Sequence, residues 1–276
     1  TRAPAGPVYM SVPIETMLHD WTPPQNPRVV PPAPKPVPPE ADIDRVADIL
    51  VTAKNPAIVA ESIGRDPGGY AATVELAELL SIPVSECRWL DFTNFPKEHW
   101  LYQGMGEPEY LHDCDVVLTL RARAPWTPPS AKPAKATIVN IDEAPFRPHM
   151  VHQSIQADIF LEGDAVATLK ALTAAIRKRG FDEGAVAKRC DRWSKEHDML
   201  VAAKKGEIDA ALAEETISPI GLCATLGDVL PDDTIYIDET ITSRPVIVKY
   251  LDFKGPQSFF TVASGGLGQG LGLALG

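Results

Sequence analysis

The sequence predicts an α/β protein: a complete doubly wound parallel sheet, followed by the first half of a second α/β unit. Three observations carry that expectation. Between residues 41 and 180, five short and mostly apolar runs are largely separated by stretches of helical periodicity, the pattern of strands buried on both faces. From residue 218 the alternation starts again and reaches two strand-like runs by residue 276. A segment with nine prolines in the seventeen positions 23–39 precedes the first of these units. Each proline fixes φ and removes a donor, so this segment reads as a semi-extended connector.

The elements follow in order. Residues 1–20 show one strand, Val8 to Val12, and little else. After the connector at 21–40, Ile43, Val46, Ile49 and Leu50 recur at helical spacing. Ala57–Ala60 reads as a strand, Gly64–Gly69 as a turn, and Ala71, Val74, Leu76, Ala77 and Leu80 as one helix face. Ile82–Ser85 is the second strand, and an aromatic loop runs from Trp89 to Tyr102. A short helix near Glu107–His112 precedes strands at Val116–Leu120, Ala136–Asp142 and Ile159–Leu161, then a helix at Asp164–Arg179. Residues 182–206 read as a polar helix, a strut between domains. Ser218 is a natural cap for a helix through Leu222, Leu226 and Leu230. The strand Thr234–Asp238, the polar turn Glu239–Ser243, a helix around Val246–Leu251 and the strand Ser258–Ala263 follow. The chain then enters a glycine run, Gly265-Gly266-Leu267-Gly268-Gln269-Gly270-Leu271-Gly272.

Composition narrows the function classes. A formal charge of -11 argues against nucleic-acid and anionic-membrane partners, which need clustered Lys and Arg. No apolar run has the length of a membrane span. The cysteines Cys87, Cys114, Cys190 and Cys223 lie far apart with no C-x-x-C pair, so they read as buried or half-buried thiols of a reducing, cytoplasmic compartment. His149 and His152 are three apart without a third ligand, and the histidines read as solvated loop residues. The glycine run fails the dinucleotide fingerprint, because leucine stands wherever its last glycine should be, and no P-loop occurs. It reads either as close helix-to-sheet packing or as a turn that presses backbone against a cofactor. The turn Asp238–Ser243 sits at the carboxyl end of its strand, where ligands bind in open parallel sheets; its hydroxyls and amides suit a phosphate or simply cap a helix. Arg121 and Arg123, after the third strand, read as surface arginines or as partners of an anionic ligand.

Several segments together resemble a known family. Gly6–Pro13, the proline-rich connector, the 41–180 unit with its Asn94-Phe95-Pro96 loop, and Ser264–Gly268 occur in that order in thiamine-diphosphate-dependent enzymes. The likeness is to the acetolactate synthase and benzoylformate decarboxylase group. It implies that residues 1–20 are the tail of a pyrimidine-binding domain, 41–180 a central domain, and 181–276 the first part of a diphosphate-binding domain. It also implies an internal piece of a longer polypeptide.

Read through the resemblance, Glu239, Thr240, Ile241 and Thr242 lie beside the cofactor diphosphate. The Gly265 carbonyl accepts from the aminopyrimidine, Gly266 belongs to the same turn, and Leu267 props the cofactor into its bent form. The implied chemistry is attack of the thiazolium carbanion on a 2-oxo acid, decarboxylation, and release or transfer of the resulting carbanion. The activating glutamate is expected in the pyrimidine-binding domain and the Mg2+ segment beyond Gly276, so this piece alone is expected to be inactive. Glu61-Ser62-Ile63-Gly64 and Arg121–Trp126 depart from the glycine-rich strand ends of FAD-holding members, which speaks against FAD. A homodimer or homotetramer is implied. Two rival classes remain: a non-catalytic module that holds a nucleotide or CoA, and a dinucleotide oxidoreductase, which the failed glycine spacing disfavours.

Overall fold

The computed structural model describes residues 9–27, 29, 31–146, 156–261 and 266–276. Tyr9–Val12 form no strand, because no neighbouring strand pairs with them and Tyr9 is 92% exposed. Helix α1, Ile14–Leu18, follows instead, with every residue exposed. The described residues of the proline-rich connector up to Pro39 form neither helix nor strand, and its last residue, Glu40, already opens a helix. Its last part is docked: Asp164 N donates to Pro36 O at 2.7 Å, and Lys35 pairs with Asp164 at 3.1 Å.

Nine regular elements then build the first unit: α2 (Glu40–Thr52), β1 (Pro56–Ala60), α3 (Pro67–Leu80), β2 (Val84–Glu86), β3 (Tyr102–Met105), β4 (Val116–Leu120), β5 (Thr137–Asp142), β6 (Ile159–Glu162) and α4 (Ala165–Arg179). The six strands form one parallel sheet in the order β3-β2-β1-β4-β5-β6. Strand order reverses between β1 and β4, which makes that gap the topological switch point. Alternation along the strands sorts the core into two layers. Ile58, Leu118, Val139 and Ile141 meet Leu50, Leu76, Leu80, Leu169 and Leu172 of α2, α3 and α4. Val59, Val117 and Ile138 face the other way, onto Cys87, Leu111, Cys114 and the buried Trp126. On that second face the described cover consists of short 3-10 turns and loops rather than long helices.

The structure departs from four expectations. The sheet has six strands, not five: β3 begins at Tyr102, the last residue of what reads as the aromatic loop, and Gln103 and Gly104 interrupt its apolar pattern. The turn at 64–69 is half helix, since Asp66 caps α3 through Gly68 N at 2.9 Å and Pro67 is its first residue. The polar helix runs further than 206: α5 spans Glu183–Leu212, thirty residues, and lies along the outer edge of β3. His197 Nδ1 bonds Tyr102 O at 2.8 Å, and a carbonyl only accepts, so that ring nitrogen carries the proton. Gln103 Nε2 donates to Trp193 O at 2.9 Å. His197 is therefore a buried helix residue rather than a solvated loop residue; His149 and His152 lie outside the described residues.

The second unit holds α6 (Pro219–Val229), β7 (Tyr236–Asp238), α7 (Arg244–Tyr250), β8 (Phe259–Thr261) and α8 (Gln269–Leu275). Ser218 caps α6 by accepting from Gly221 N at 3.1 Å. β7 and β8 are parallel. Their core is small and borrowed in part: Leu90, from the long loop of the first unit, packs with Cys223, Val248, Leu251, Phe253 and Phe259. Lys97 from the same loop donates to Val248 O and, at 3.4 Å, to Leu251 O, with its ammonium 4.0 Å from the Phe253 ring centre. Carbonyls at a helix carboxyl end and an aromatic face both suit a cation.

Candidate functional site

The two segments that sequence analysis singled out meet at the end of β7. Asp238 closes that strand and is buried. Its Oδ1 accepts from Thr240 N at 2.9 Å and Thr240 Oγ1 at 2.6 Å. Its Oδ2 accepts from Arg244 Nε at 2.7 Å and Thr261 Oγ1 at 3.4 Å. One carboxylate thus fixes the turn, the start of α7 and the end of β8. Glu239 reaches the other way: its two oxygens accept from Gln269 N at 2.7 Å and Gly270 N at 3.0 Å, at the head of α8. A Cβ on Gly270 would sit 2.9 Å from a Glu239 oxygen, so the glycine permits this approach. Gly268, at φ 84, makes the left-handed entry to α8 that an L side chain resists.

Around this junction Ile241 is 65% and Leu267 82% exposed, and Thr242 and Gly266 are also open to solvent. Gly265 lies outside the described residues. Thr240 is already committed to Asp238, so the turn hydroxyls without a hydrogen bond among the described residues are those of Thr242, which is exposed, and Ser243, which is half-buried. The α8 amides of Gln269 and Gly270 are committed to Glu239, so any anion held here would rely on the turn rather than on α8. The residues fit a diphosphate as one wall of a site: a hydroxyl, turn amides, and two bare apolar side chains beside them. Asp238 and Arg244 form the support that sequence reasoning missed. The acidic residue before the turn was visible, but nothing in its spacing announced the arginine six residues on.

At the switch point of the larger sheet, a different cluster has formed. Glu61 follows β1 and accepts from Arg123 N at 2.6 Å and from Arg123 Nε, while Arg123 Nη2 reaches Asp91 at 2.6 Å. Arg121 makes a two-pronged pair with Glu143, through Nε at 2.8 Å and through Nη2. Both arginines are thus spent on carboxylates of the chain itself, which replaces their readings as surface residues or anion partners. Asn94 locks the neighbouring loop: Nδ2 donates to Glu61 O and Phe92 O, both at 2.7 Å, and Oδ1 accepts from Gly64 N at 3.0 Å. Behind it Glu86 is fully buried, and burial raises its pKa despite Lys97 and the Asn94 amides. Burial lowers Lys97 to about 7, against the pull of Glu86. Among the described residues no cluster of His, Cys, Asp or Glu has the form of a metal site, and no helix is long and apolar enough to cross a membrane.

Residues 43–172, which hold nearly all of the six-stranded unit, match the family model of the thiamine pyrophosphate enzyme central domain. This unit belongs to the thiamine pyrophosphate enzyme family. Over 293 aligned residues the chain is 26% identical to the benzoylformate decarboxylase of Pseudomonas aeruginosa, covering 99% of this chain and 50% of that protein. It also resembles a solved protein from Mycobacterium smegmatis described as thiamin diphosphate-dependent, with a TM-score of 0.65, 22% identity, and coverage of 91% of this chain and 47% of that one. The benzoylformate decarboxylase structure from Polynucleobacter necessarius aligns with a TM-score of 0.64 at 18% identity, over 92% of this chain and 46% of that one. At such identities the two structures speak for the fold alone. The chain therefore spans about half the length of the relatives it matches, and its thiamine pyrophosphate central domain is the part with a family model of its own.

Proposed function

We propose that the chain is the central domain and the first part of the diphosphate-binding domain of a thiamine-diphosphate-dependent enzyme that decarboxylates a 2-oxo acid. The observation that carries this reading beyond the family match is the junction of the turn after β7 with the glycine run, tied by Glu239. In this reading Thr242 and the amides of Ile241 and Thr242 face the diphosphate, Asp238 and Arg244 hold that turn rigid, and Leu267 supports the thiazolium ring. Gly265 and Gly266 give the aminopyrimidine a backbone surface. The bound cofactor supplies an electron sink for the carbanion left by decarboxylation. The chain's own contribution is placement: a turn fixed on three sides, and an apolar wall that keeps water from the reacting carbon.

The activating glutamate and the Mg2+ ligands would come from segments outside this chain, and the working assembly would be a cytoplasmic homodimer or homotetramer with no flavin. Transfer of the carbanion to a second carbonyl, as in acetolactate synthases, extends the same reading. It follows that the 276-residue chain alone has negligible affinity for thiamine diphosphate and no turnover. Two diphosphate charges without their metal have too little to offset them. Calorimetric titration with thiamine diphosphate and Mg2+ checks the first part, and tight saturable binding to this chain would contradict it. The reading as a whole is tested in the longer polypeptide. Thr242→Val there should raise the cofactor Kd and leave the melting midpoint without cofactor unchanged. A longer polypeptide that binds no thiamine diphosphate would refute it.

A further inference from the structure

The amino-terminal edge of the six-stranded sheet, opposite the Glu61–Arg123 cluster, carries a second concavity. A cavity of about 560 Å³ opens between the α2–β1 connection and the start of α5. In a chain of net charge -11, its wall presents Lys54, Lys188, Arg189 and Arg192 against Asp182 alone.

Arg189 is the decisive residue, with 9% of its surface exposed. Its Nε donates to Leu80 O at 2.9 Å and its Nη1 to Ala53 O at 3.4 Å, the carbonyls where α3 and α2 end. Those bonds orient the guanidinium at two helix carboxyl ends, whose carbonyls offset part of its charge. Among the described residues it pairs with no carboxylate, and its hydrogen bonds use Nε and Nη1 only, while the residue lines the cavity. Burial lowers the Arg189 pKa, against the pull of Asp115 and Asp182. Both of these acids are engaged elsewhere. Asp115 accepts from Lys54 N at 2.6 Å and Asn55 N at 3.0 Å; Asp182 accepts from Ala185 N at 3.0 Å. Arg192 lies with its guanidinium 4.3 Å from the Trp193 ring centre, and the side chains of Lys54 and Lys188 have no carboxylate partner among the described residues.

We propose that this cavity binds a nucleoside phosphate. Two guanidinium groups are the side chains best matched to phosphate oxygens, and the carbonyl bonds of Arg189 leave its Nη2 for a ligand. The volume falls in the range of small-molecule sites. Asp182, with one oxygen left over at the rim, suits a ribose hydroxyl, which bare phosphate lacks. Lys54 and Lys188 stand at the mouth as attracting charges. The site lies on another element set from the turn after β7, so it stands or falls apart from the thiamine diphosphate reading.

The test is calorimetric titration of the whole chain with ADP, adenosine and pyrophosphate. One equivalent of ADP should bind; adenosine should not, and pyrophosphate should bind more weakly. The Lys54→Glu/Lys188→Glu variant should weaken ADP binding at least about tenfold, because four units of charge change at the mouth. Its melting midpoint without ligand should match the parent. The proposal is overturned if ADP shows no saturable binding up to about 10 mM. It is equally overturned if adenosine or pyrophosphate binds as well as ADP, or if the variant binds ADP unchanged.

Discussion

At the scale of single residues, close approaches of backbone decide most. A Cβ built on Gly64 would collide with the Thr93 carbonyl oxygen and lie 2.7 Å from its carbon. Neither atom can turn away as a side chain would. Gly64→Ala should therefore cost about 3 kcal/mol, the upper range for overpacking, and pull the Asn94 loop from its seat; a melting midpoint within a degree of the parent would contradict this. Asp238 is the counterpart in the second unit. Asp238→Asn keeps its shape and leaves Arg244 facing a neutral amide, which should cost about 3 kcal/mol. Hydrogen exchange at the Thr240 amide should accelerate with it, since that N–H donates to Asp238. These constraints were only partly legible in the sequence. A glycine in a turn after a strand is a common sight, and only the fold reveals that Thr93 sits against this one.

At the scale of elements, loops between strands join the two units. Lys97 holds the end of α7 by two carbonyls, and its pKa of about 7 lies below the usual 10.5. The folded state thus loses its proton first. The cost of burying the charge is full below pH 7 and is relieved as pH rises toward 10.5, so stability should climb across that window. The Glu86 carboxyl, raised by burial, works in the opposite direction nearer to acid. Lys97→Met should flatten the climb, and denaturant midpoints from pH 6 to 10 for both proteins measure it. A parallel pair of curves would show that Lys97 does not titrate there. Helix and strand positions read well from periodicity, and the cap at Ser218 fell where hydroxyl preference put it, whereas Asp66 caps α3 inside what reads as a turn. β3 did not, because an edge strand broken by Gln103 and Gly104 carries no alternation to detect. The Val8–Val12 run failed for the converse reason: its residues have strand propensity, and residues 9–12 find no partner strand.

At the scale of the whole molecule, the two units differ in what they bury. The six-stranded sheet has apolar layers on both faces, while the β7–β8 pair leaves Leu222, Ile235, Ile241, Leu267, Leu271 and Leu275 exposed. Two strands bury too little to stand alone. Heating should therefore give two transitions, the lower one melting α6 to α8 while the larger sheet survives. Calorimetry with hydrogen exchange would report this, and a single cooperative transition would refute it. The sequence foretold this imbalance, because it counts strands; it could not foretell that Leu90 and Lys97 lend their support from the other unit. The long helix α5 has a consequence for handling the protein. It occupies the rim of the sheet through His197, bonded to Tyr102 O, and Trp193 O, which accepts from Gln103. Cut the polypeptide at residue 180 to isolate the larger unit, and that rim becomes a bare ladder of amides and carbonyls, ready to recruit a second copy strand by strand. A shorter piece would look better behaved on paper and precipitate in the tube.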